Sequence, residues 1–153
     1  MRNDALGIAF LKGKMFMYNR KNKPGAYGFS KYTSDGQVTY SESKDYYGNV
    51  VKHFYDYDTT GRRVYYAQKQ DGEDDLITIM EEFTEYCPND YKNVTTIFYK
   101  EKVINYRYLD AHGREIKTRS IDTNTGLTTE KEFDGYKGFK TKQYISICVP
   151  RIA

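Results

Sequence analysis

Two histidines, His53 and His112, are the side chains of this chain that could transfer protons near neutral pH. His112 lies beside Asp110, Arg114 and Glu115, but it directly precedes a glycine in a stretch with the composition of a turn. An enzyme would need a pocket that gathers one histidine with carboxylates at defined distances. Neither sequence context indicates such a pocket, so we assign no catalytic residue and expect a protein without enzymatic activity.

Spacings typical of metal or cofactor sites do not occur in the sequence. It has neither C-x-x-C nor H-E-x-x-H, no phosphate-binding loop and no nucleophile elbow. We therefore expect no metal and no cofactor. Two cysteines, Cys87 and Cys148, do not make a disulfide framework, and we expect reduced thiols, with a single bridge remaining open for a secreted chain.

Seven carboxylates crowd the stretch from Asp71 to Glu85 of a chain whose net charge is +3. One interpretation is the solvated face of a helix. The sharper hypothesis is a surface that mimics a polyanion and blocks a basic site on a partner protein. The candidate partner-binding residues in this stretch are Asp74, Asp75, Glu81, Glu82 and Glu85.

Tyrosine is unusually frequent, with 17 copies beside 8 phenylalanines and no tryptophan. In Tyr106-Arg107-Tyr108 it alternates with a basic residue, a pattern that could stack the bases of a single-stranded nucleic acid. The solvated face of a tyrosine-rich sheet gives the same pattern, and a net charge of +3 disfavours nucleic acid. Because exposed Tyr and Arg dominate protein interfaces, we expect a protein partner and add Tyr106 and Tyr108 to the candidate residues.

The elements that would carry these side chains follow a repeat. K-Y-T-S-D-G-Q-V-T-Y, D-Y-D-T-T-G-R-R-V-Y and Y-L-D-A-H-G-R-E-I-K align on Gly36, Gly61 and Gly113. The glycines are 25 and 52 residues apart, so a degenerate copy is expected near residue 87. Each copy has an aromatic or β-branched run, polar turn formers, a glycine suited to positive φ, and a second run, which is typical of a β-hairpin.

Asp58 and Asp110 recur at one position of the repeat, and Arg62 and Arg114 recur at another. A catalytic residue has no reason to appear once in each repeat. We therefore predict that the aspartates accept backbone N–H groups within the turns and that the arginines pair or stack beside them.

We accordingly predict a mainly β protein, a single domain over residues 1–153 built as an antiparallel meander of repeated hairpins, forming an open twisted sheet or a partial barrel. One short α-helix is predicted near residues 73–86, where Leu76, Ile79, Met80 and Phe83 recur at helical spacing and Pro88 follows. The β-branched run Ile77, Thr78 and Ile79 keeps a strand as the alternative for this segment.

The copies around Asp58-Thr59-Thr60-Gly61-Arg62 and Asp110-Ala111-His112-Gly113-Arg114 resemble the YD repeat of Rhs and teneurin-type proteins, whose core reads Tyr-Asp, two residues, Gly-Arg. Tyr57 precedes the first copy as in that motif, whereas Leu109 takes the place of the tyrosine in the second. The resemblance covers about half of the chain. It implies arrays of hairpins, which in that family build a β-shell around a toxin or other cargo.

Together these features predict a non-catalytic protein-binding repeat protein, with a toxin domain as the expected partner of an immunity or antitoxin-like protein. A structural fragment of a secreted YD-repeat protein and a single-stranded nucleic-acid binder are the alternatives. Without a secretory h-region or an apolar run long enough to span a bilayer, we expect a cytoplasmic chain that does not enter membranes. A fragment of a larger YD-repeat protein would instead be extracellular.

The acidic hypothesis makes a prediction for the variant E81Q/E82Q/E85Q. Removing three carboxylates should weaken binding to a basic partner, and the loss should shrink as salt screens the remaining charges. Calorimetric titration against the partner domain at low and high salt checks this. Unchanged affinity at low salt would remove the hypothesis.

Overall fold

The computed structural model of the protein describes residues 6–11, 14–19 and 25–152. Strands dominate these ranges, and the helical content is limited to short 3-10 turns at Pro88–Asp90 and Gly135–Lys137. Within the described ranges, none of the helical segments has the length and apolar character needed to cross a bilayer. The strands are β1 Leu6–Leu11, β2 Lys14–Asn19, β3 Tyr27–Tyr32, β4 Val38–Lys44, β5 Val50–Tyr57, β6 Arg63–Asp71, β7 Leu76–Tyr86, β8 Lys92–Phe98, β9 Val103–Leu109, β10 Glu115–Asp122, β11 Leu127–Phe133 and β12 Phe139–Ile145.

The chain divides into two compact units, residues 1–79 and 80–153. In the first unit β1 to β6 pair in sequence order, each antiparallel to the next. In the second unit the pairing is again sequential and antiparallel, from the part of β7 after residue 79 through β12. This confirms the predicted mainly β meander, and no pairing among the described strands closes it into a barrel.

The predicted helix near residues 73–86 is wrong, because residues 76–86 form the long strand β7. From Met80 to Tyr86 each residue of β7 faces a residue of β8 in an unbroken antiparallel register. An isolated helix of this length is only marginally stable in water, whereas the neighbouring strand offers a complete backbone ladder and suits β-branched residues. Tertiary pairing therefore outweighs the helical spacing of the apolar side chains.

The turn between β5 and β6 shows how the repeat closes a hairpin. The Asp58 N–H donates to the Arg62 carbonyl at 2.8 Å, and the Gly61 N–H donates to the Asp58 carbonyl at 3.0 Å. Asp58 Oδ1 accepts the N–H groups of Thr60 and Arg62, both at 2.9 Å, while Arg62 Nε donates to Asp58 Oδ2 at 3.0 Å. Gly61 has φ +86°, a conformation that side-chain-bearing residues avoid. One carboxylate thus accepts hydrogen bonds from two backbone N–H groups and one side chain of the turn.

The same arrangement joins β9 to β10. Asp110 Oδ1 accepts the N–H groups of His112 and Arg114, both at 2.9 Å, and Arg114 Nε donates to Oδ2 at 2.8 Å. In the first unit the turns starting at Thr33 and Asp45 have the same two backbone hydrogen bonds, with Gly36 and Gly48 at positive φ. The repeat is therefore a turn geometry as well as a sequence motif.

The spacing of the turns explains the period of the sequence repeat. In the first unit such turns begin at residues 33, 45 and 58, about one strand apart, so the interval of 25 residues from 33 to 58 spans two strands. In the second unit the degenerate copy lies at Cys87–Tyr91, where the Cys87 N–H donates to the Tyr91 carbonyl at 2.7 Å. Asn89 and Asp90 replace the glycine there by adopting φ of 64° and 62°.

Few described side chains are buried. The buried apolar residues are Ala67 in the first unit and Val94, Ile104, Leu109 and Ile121 in the second, and the buried polar ones are Thr96, Asp110 and Thr128. With so little core, contacts between neighbouring strands must supply much of the stability. In the first unit an aromatic row does so: Tyr27, Phe29, Tyr40 and Phe54 have successive ring centroids 6.1, 5.9 and 5.2 Å apart.

Replacing Gly113 tests whether backbone conformation is what the turns require. Its φ is +80° and an added Cβ would meet nothing within 4 Å, so only backbone strain opposes a side chain. We expect Gly113→Ala to lower the free energy of unfolding by about 1 kcal/mol. The control Gly113→Asn should cost less, because Asn tolerates positive φ. Urea unfolding followed by circular dichroism measures both, and equal stability of the three proteins would contradict the account.

Candidate partner-binding surface

The two histidines occupy ordinary structural positions. His112 is exposed in the turn before β10, where its backbone N–H donates to Asp110. His53 lies in β5 with Nδ1 2.7 Å from the Tyr66 hydroxyl and its ring stacked on that tyrosine, and partial burial lowers its pKa. Among the described residues no three His, Cys, Asp or Glu side chains cluster in a way that would hold a metal ion, and Cys87 and Cys148 are free thiols.

The acidic residues singled out from the sequence do not form one surface. Asp74 and Asp75 are exposed in the first unit, in the connection between β6 and β7. Glu81 and Glu85 lie on one face of β7, and Glu82 lies on the opposite face because side chains alternate along a strand. Glu82 instead sits 3.7 Å from Arg107, which also lies 3.9 Å from Glu115.

Glu81 and Glu85 share their face with Tyr106 and Tyr108. The registers of the second unit place cross-strand partners on the same side of the sheet, and we call this side the tyrosine–charge face. Its side chains are Glu81, Phe83 and Glu85 from β7, Asn93, Thr95 and Ile97 from β8, Ile104, Tyr106 and Tyr108 from β9, Lys117, Arg119 and Ile121 from β10, Thr128, Glu130 and Glu132 from β11, and Lys140, Lys142 and Tyr144 from β12.

On this face, each of the two tyrosines belongs to a row of side chains that lie opposite one another on neighbouring strands. Tyr106 lies opposite Thr95 on one side and Arg119 on the other, and Arg119 lies opposite Glu130. Tyr108 lies between Asn93 and Lys117 in the next row. The rows therefore present aromatic rings, cations and carboxylates next to one another in a fixed order.

A shallow depression of about 430 Å³ lies over the middle of the face. Most of the residues that line it are aromatic, charged or amide-bearing, and the others are aliphatic or hydroxyl-bearing: Tyr106, Tyr108, Lys117, Arg107, Arg119, Glu85, Glu130, Asn93, Val94, Thr95 and Thr118. This composition suits hydrogen bonding and stacking with a polar, ordered surface of a partner.

Contacts between neighbouring strands hold the side chains of the face. The Arg119 guanidinium carbon lies 4.5 Å from the Tyr106 ring centroid, within cation–π range. Tyr108 packs against Tyr91 with ring centroids 5.5 Å apart. The Tyr144 hydroxyl donates to Glu130 Oε1 at 2.9 Å, and this bond is the main cause that raises the pKa of Tyr144. Binding would therefore order fewer side chains than on a surface of unrestrained residues.

Lys117, Arg119 and Glu130 were not identified from the sequence. The signal that could have found them is the alternation of charge along two strands, with Lys117 and Arg119 two residues apart and Glu130 and Glu132 likewise. Such alternation identifies one face of each strand. It does not identify the register between strands, which is needed to place Arg119 opposite Tyr106.

The chain matches no protein-family model, and no curated protein is significantly similar to it. The assignment of the surface therefore depends on the chemistry of the side chains described above.

The pH dependence of stability tests the hydrogen bond between Tyr99 and Glu81 beside this face. The hydroxyl of half-buried Tyr99 donates to Glu81 Oε1, and burial together with this bond raises the pKa of Tyr99 from 10.0 to about 12. A raised folded-state pKa adds stability that is complete below pH 10 and is lost as pH rises towards 12. We expect Tyr99→Phe to remove part of this alkaline loss.

The measurement is urea unfolding between pH 9 and 12, a range that brackets the ordinary and shifted tyrosine pKa, with tyrosinate absorbance read in parallel. Tyr47→Phe is the control, because Tyr47 is 87% exposed. If Tyr99→Phe and wild type lose stability identically over this range, the ordered Tyr99–Glu81 contact is wrong.

Proposed function

We propose that this chain is a non-catalytic protein-binding β-repeat protein and that the tyrosine–charge face of the second unit is its binding surface. The observation that carries the proposal is the juxtaposition of Tyr106, Tyr108 and Arg119 around one depression. Tyrosine and arginine supply most of the energetic hot spots of protein interfaces. Because cross-strand contacts already orient these side chains, the entropy cost of binding is reduced.

A folded protein with both acidic and basic groups fits this face better than a nucleic acid does. Arg119 covers one side of the Tyr106 ring and Tyr91 packs against the Tyr108 ring, so less ring surface is open for stacking successive bases. Glu85, Glu130 and Glu132 also lie on this face and would repel phosphates. We therefore favour protein binding over the single-stranded nucleic-acid alternative.

Within protein binding, we propose an immunity or antitoxin-like role in which a toxin domain is the partner. The Asp-x-x-Gly-Arg turns support a relation to YD-repeat proteins, since Asp58 and Asp110 bind their turns through the same set of hydrogen bonds. Glu81 and Glu85 would face basic groups of such a partner. A structural module of a larger YD-repeat protein remains the second candidate, and the same turn geometry supports it.

Because side chains alternate between the two faces of β7, one of its three glutamates can serve as a control in the binding experiment. Glu82 points to the opposite side of the sheet and is close to Arg107. The contribution of the carboxylates to binding should therefore reside in Glu81 and Glu85, and the single variant E82Q is the internal control for the triple neutralisation.

With a toxin domain as the partner, we predict that Tyr106→Ala weakens binding by about thirtyfold, because a central hot spot contributes about 2 kcal/mol. Arg119→Ala should weaken binding as well, since it removes both the cation and the support of the Tyr106 ring. Lys131→Ala is the matched control, because Lys131 lies on the opposite face of neighbouring β11.

Calorimetric titration of the purified toxin domain into each folded variant gives the dissociation constants. Equal affinities for wild type, Tyr106→Ala and Arg119→Ala would contradict the proposal. So would tight binding of single-stranded oligonucleotides that Tyr106→Ala abolishes, because that result would assign the face to nucleic acid.

A further inference from the structure

The last strand of the second unit, β12, has one strand neighbour in the described part of the chain. It pairs with β11 through seven consecutive residue pairs, from Phe133 with Phe139 to Leu127 with Ile145. Every other residue of such an edge strand directs its backbone N–H and C=O away from the sheet. These groups can form a ladder with an added strand.

The segment after β12 leads away from this edge. The Ser146 N–H donates to the Gly126 carbonyl at 2.8 Å, and the Ser146 and Thr128 hydroxyl oxygens are 2.7 Å apart. Residues 149–152 then line a cavity with Lys102, Thr123 and Asn124. The segment therefore lies beside the turns that follow β8 and β10, at the end of the strands and not along β12.

Charge on the tyrosine–charge face alternates from strand to strand towards this edge. β10 contributes Lys117 and Arg119, β11 contributes Glu130 and Glu132, and β12 contributes Lys140 and Lys142. The registers place these residues directly opposite one another across the three strands. Each interior boundary thus joins opposite charges, which is the favourable cross-strand combination.

Neither lysine of β12 is buried by the acidic strand beside it. Lys140 Nζ lies 3.6 Å from Asp134 Oδ2, but its side chain is 77% exposed. Lys142 Nζ lies 5.2 Å from the Tyr144 ring centroid. Both cations therefore remain accessible to carboxylates on the outer side of the strand.

On the other face of β12, apolar side chains lie at the two ends of the strand, and Thr141 and Gln143 lie between them. Phe139 packs edge-on against Phe133 with ring centroids 5.8 Å apart, and Phe139 and Ile145 are 48% and 63% exposed. An added strand that presents apolar side chains on this face would cover them. The edge therefore favours an added strand with carboxylates on one side and, on the other, apolar groups at the positions beside Phe139 and Ile145.

A second copy of the chain does not meet this specification. In an antiparallel pair of two β12 strands centred on residue 141, Lys140 of each copy would face Lys142 of the other. Centring the pair on residue 142 would place like charges directly opposite each other. Such pairs are destabilising, so the charge pattern disfavours self-pairing through β12.

We propose that β12 is a docking edge for an extended acidic segment of a partner protein, which adds to the sheet as an antiparallel strand. Its carboxylates alternate with apolar residues, so that they face Lys140 and Lys142 while the apolar residues cover Phe139 and Ile145. This docking edge is separate from the depression around Tyr106 and does not depend on the function proposed for it.

A synthetic peptide tests the docking edge directly. The probe is a fluorescein-labelled peptide, Val-Glu-Val-Glu-Val-Glu-Val flanked by Ser-Gly, which matches the seven residues of β12, and its binding is measured by fluorescence anisotropy. We expect saturable binding by the full chain and at least tenfold weaker binding by K140E/K142E. The matched control K131E/K137E changes net charge equally and should bind as wild type does.

Two further peptides separate strand addition from simple charge attraction. A peptide with Lys in place of Glu should bind K140E/K142E better than it binds wild type, which also shows that the double variant is folded. A peptide N-methylated at alternate residues cannot complete one edge of a backbone ladder, and one of the two methylation registers should lose binding.

Absence of saturable binding of the acidic peptide to the wild-type chain would overturn the proposal. Equal binding by K140E/K142E and K131E/K137E, or binding unaffected by both N-methylation registers, would also overturn it. Loss of binding in Tyr106→Ala would place the peptide in the depression and not at β12.

Discussion

Strand register, fixed by the turns, is the constraint on which the rest of this structure depends. Few side chains are buried among the described residues, so no thick core selects the face that each residue takes. A slip of one residue would move every side chain of a strand to the other side. The turns at Asp58 and Asp110 limit such slips, because their carboxylates accept specific N–H groups and their glycines take positive φ. Hydrogen bonds from the Thr60 hydroxyl and the Arg62 N–H lower the pKa of Asp58 to about 2, so the turn favours the ionised carboxylate.

Register determines which side chains become neighbours in each unit, and the resulting contacts differ between the two units. In the first unit, register aligns Tyr27, Phe29, Tyr40 and Phe54 into a row of ring contacts. In the second, register places the two tyrosines of β9 beside a band of charge that alternates from β10 to β12. A tyrosine-rich composition can thus stabilise strand contacts in the first unit and, in the function proposed above, supply binding side chains in the second, because the ring packs while the hydroxyl stays accessible.

Several features could be predicted from sequence because they depend on local chemistry. The hairpin turns were predictable, since glycine and aspartate have conformational and hydrogen-bonding preferences that act within five residues. The copy near residue 87 was expected from spacing, and Asn89 and Asp90 supply its positive φ values. Tyr106 and Tyr108 were identified from composition and alternation, and the structure places them on one face with Glu81 and Glu85.

The remaining features depend on contacts between distant residues, and local reasoning failed for them. The segment near Met80 has helical spacing, but a ladder to β8 determines its conformation. Glu82 and Glu81 are adjacent in sequence and point to opposite faces, so a count of carboxylates overstated the acidic surface. The pairing of Arg119 with Tyr106 required the register across β9 and β10. Each of these features is a property of pairs of strands.

Register selects the face of the second unit that we propose as the binding surface, and residue-by-residue photo-crosslinking along β9 and β10 tests this selection most directly. A photoreactive amino acid would be placed in turn at positions 106, 107, 118 and 119 of the chain, and each protein would be irradiated with the proposed partner, a toxin domain. We predict crosslinks from positions 106 and 119 and none from positions 107 and 118, because alternate residues face opposite sides of the sheet. Crosslinks of equal yield from all four positions, or from 107 and 118 alone, would contradict it.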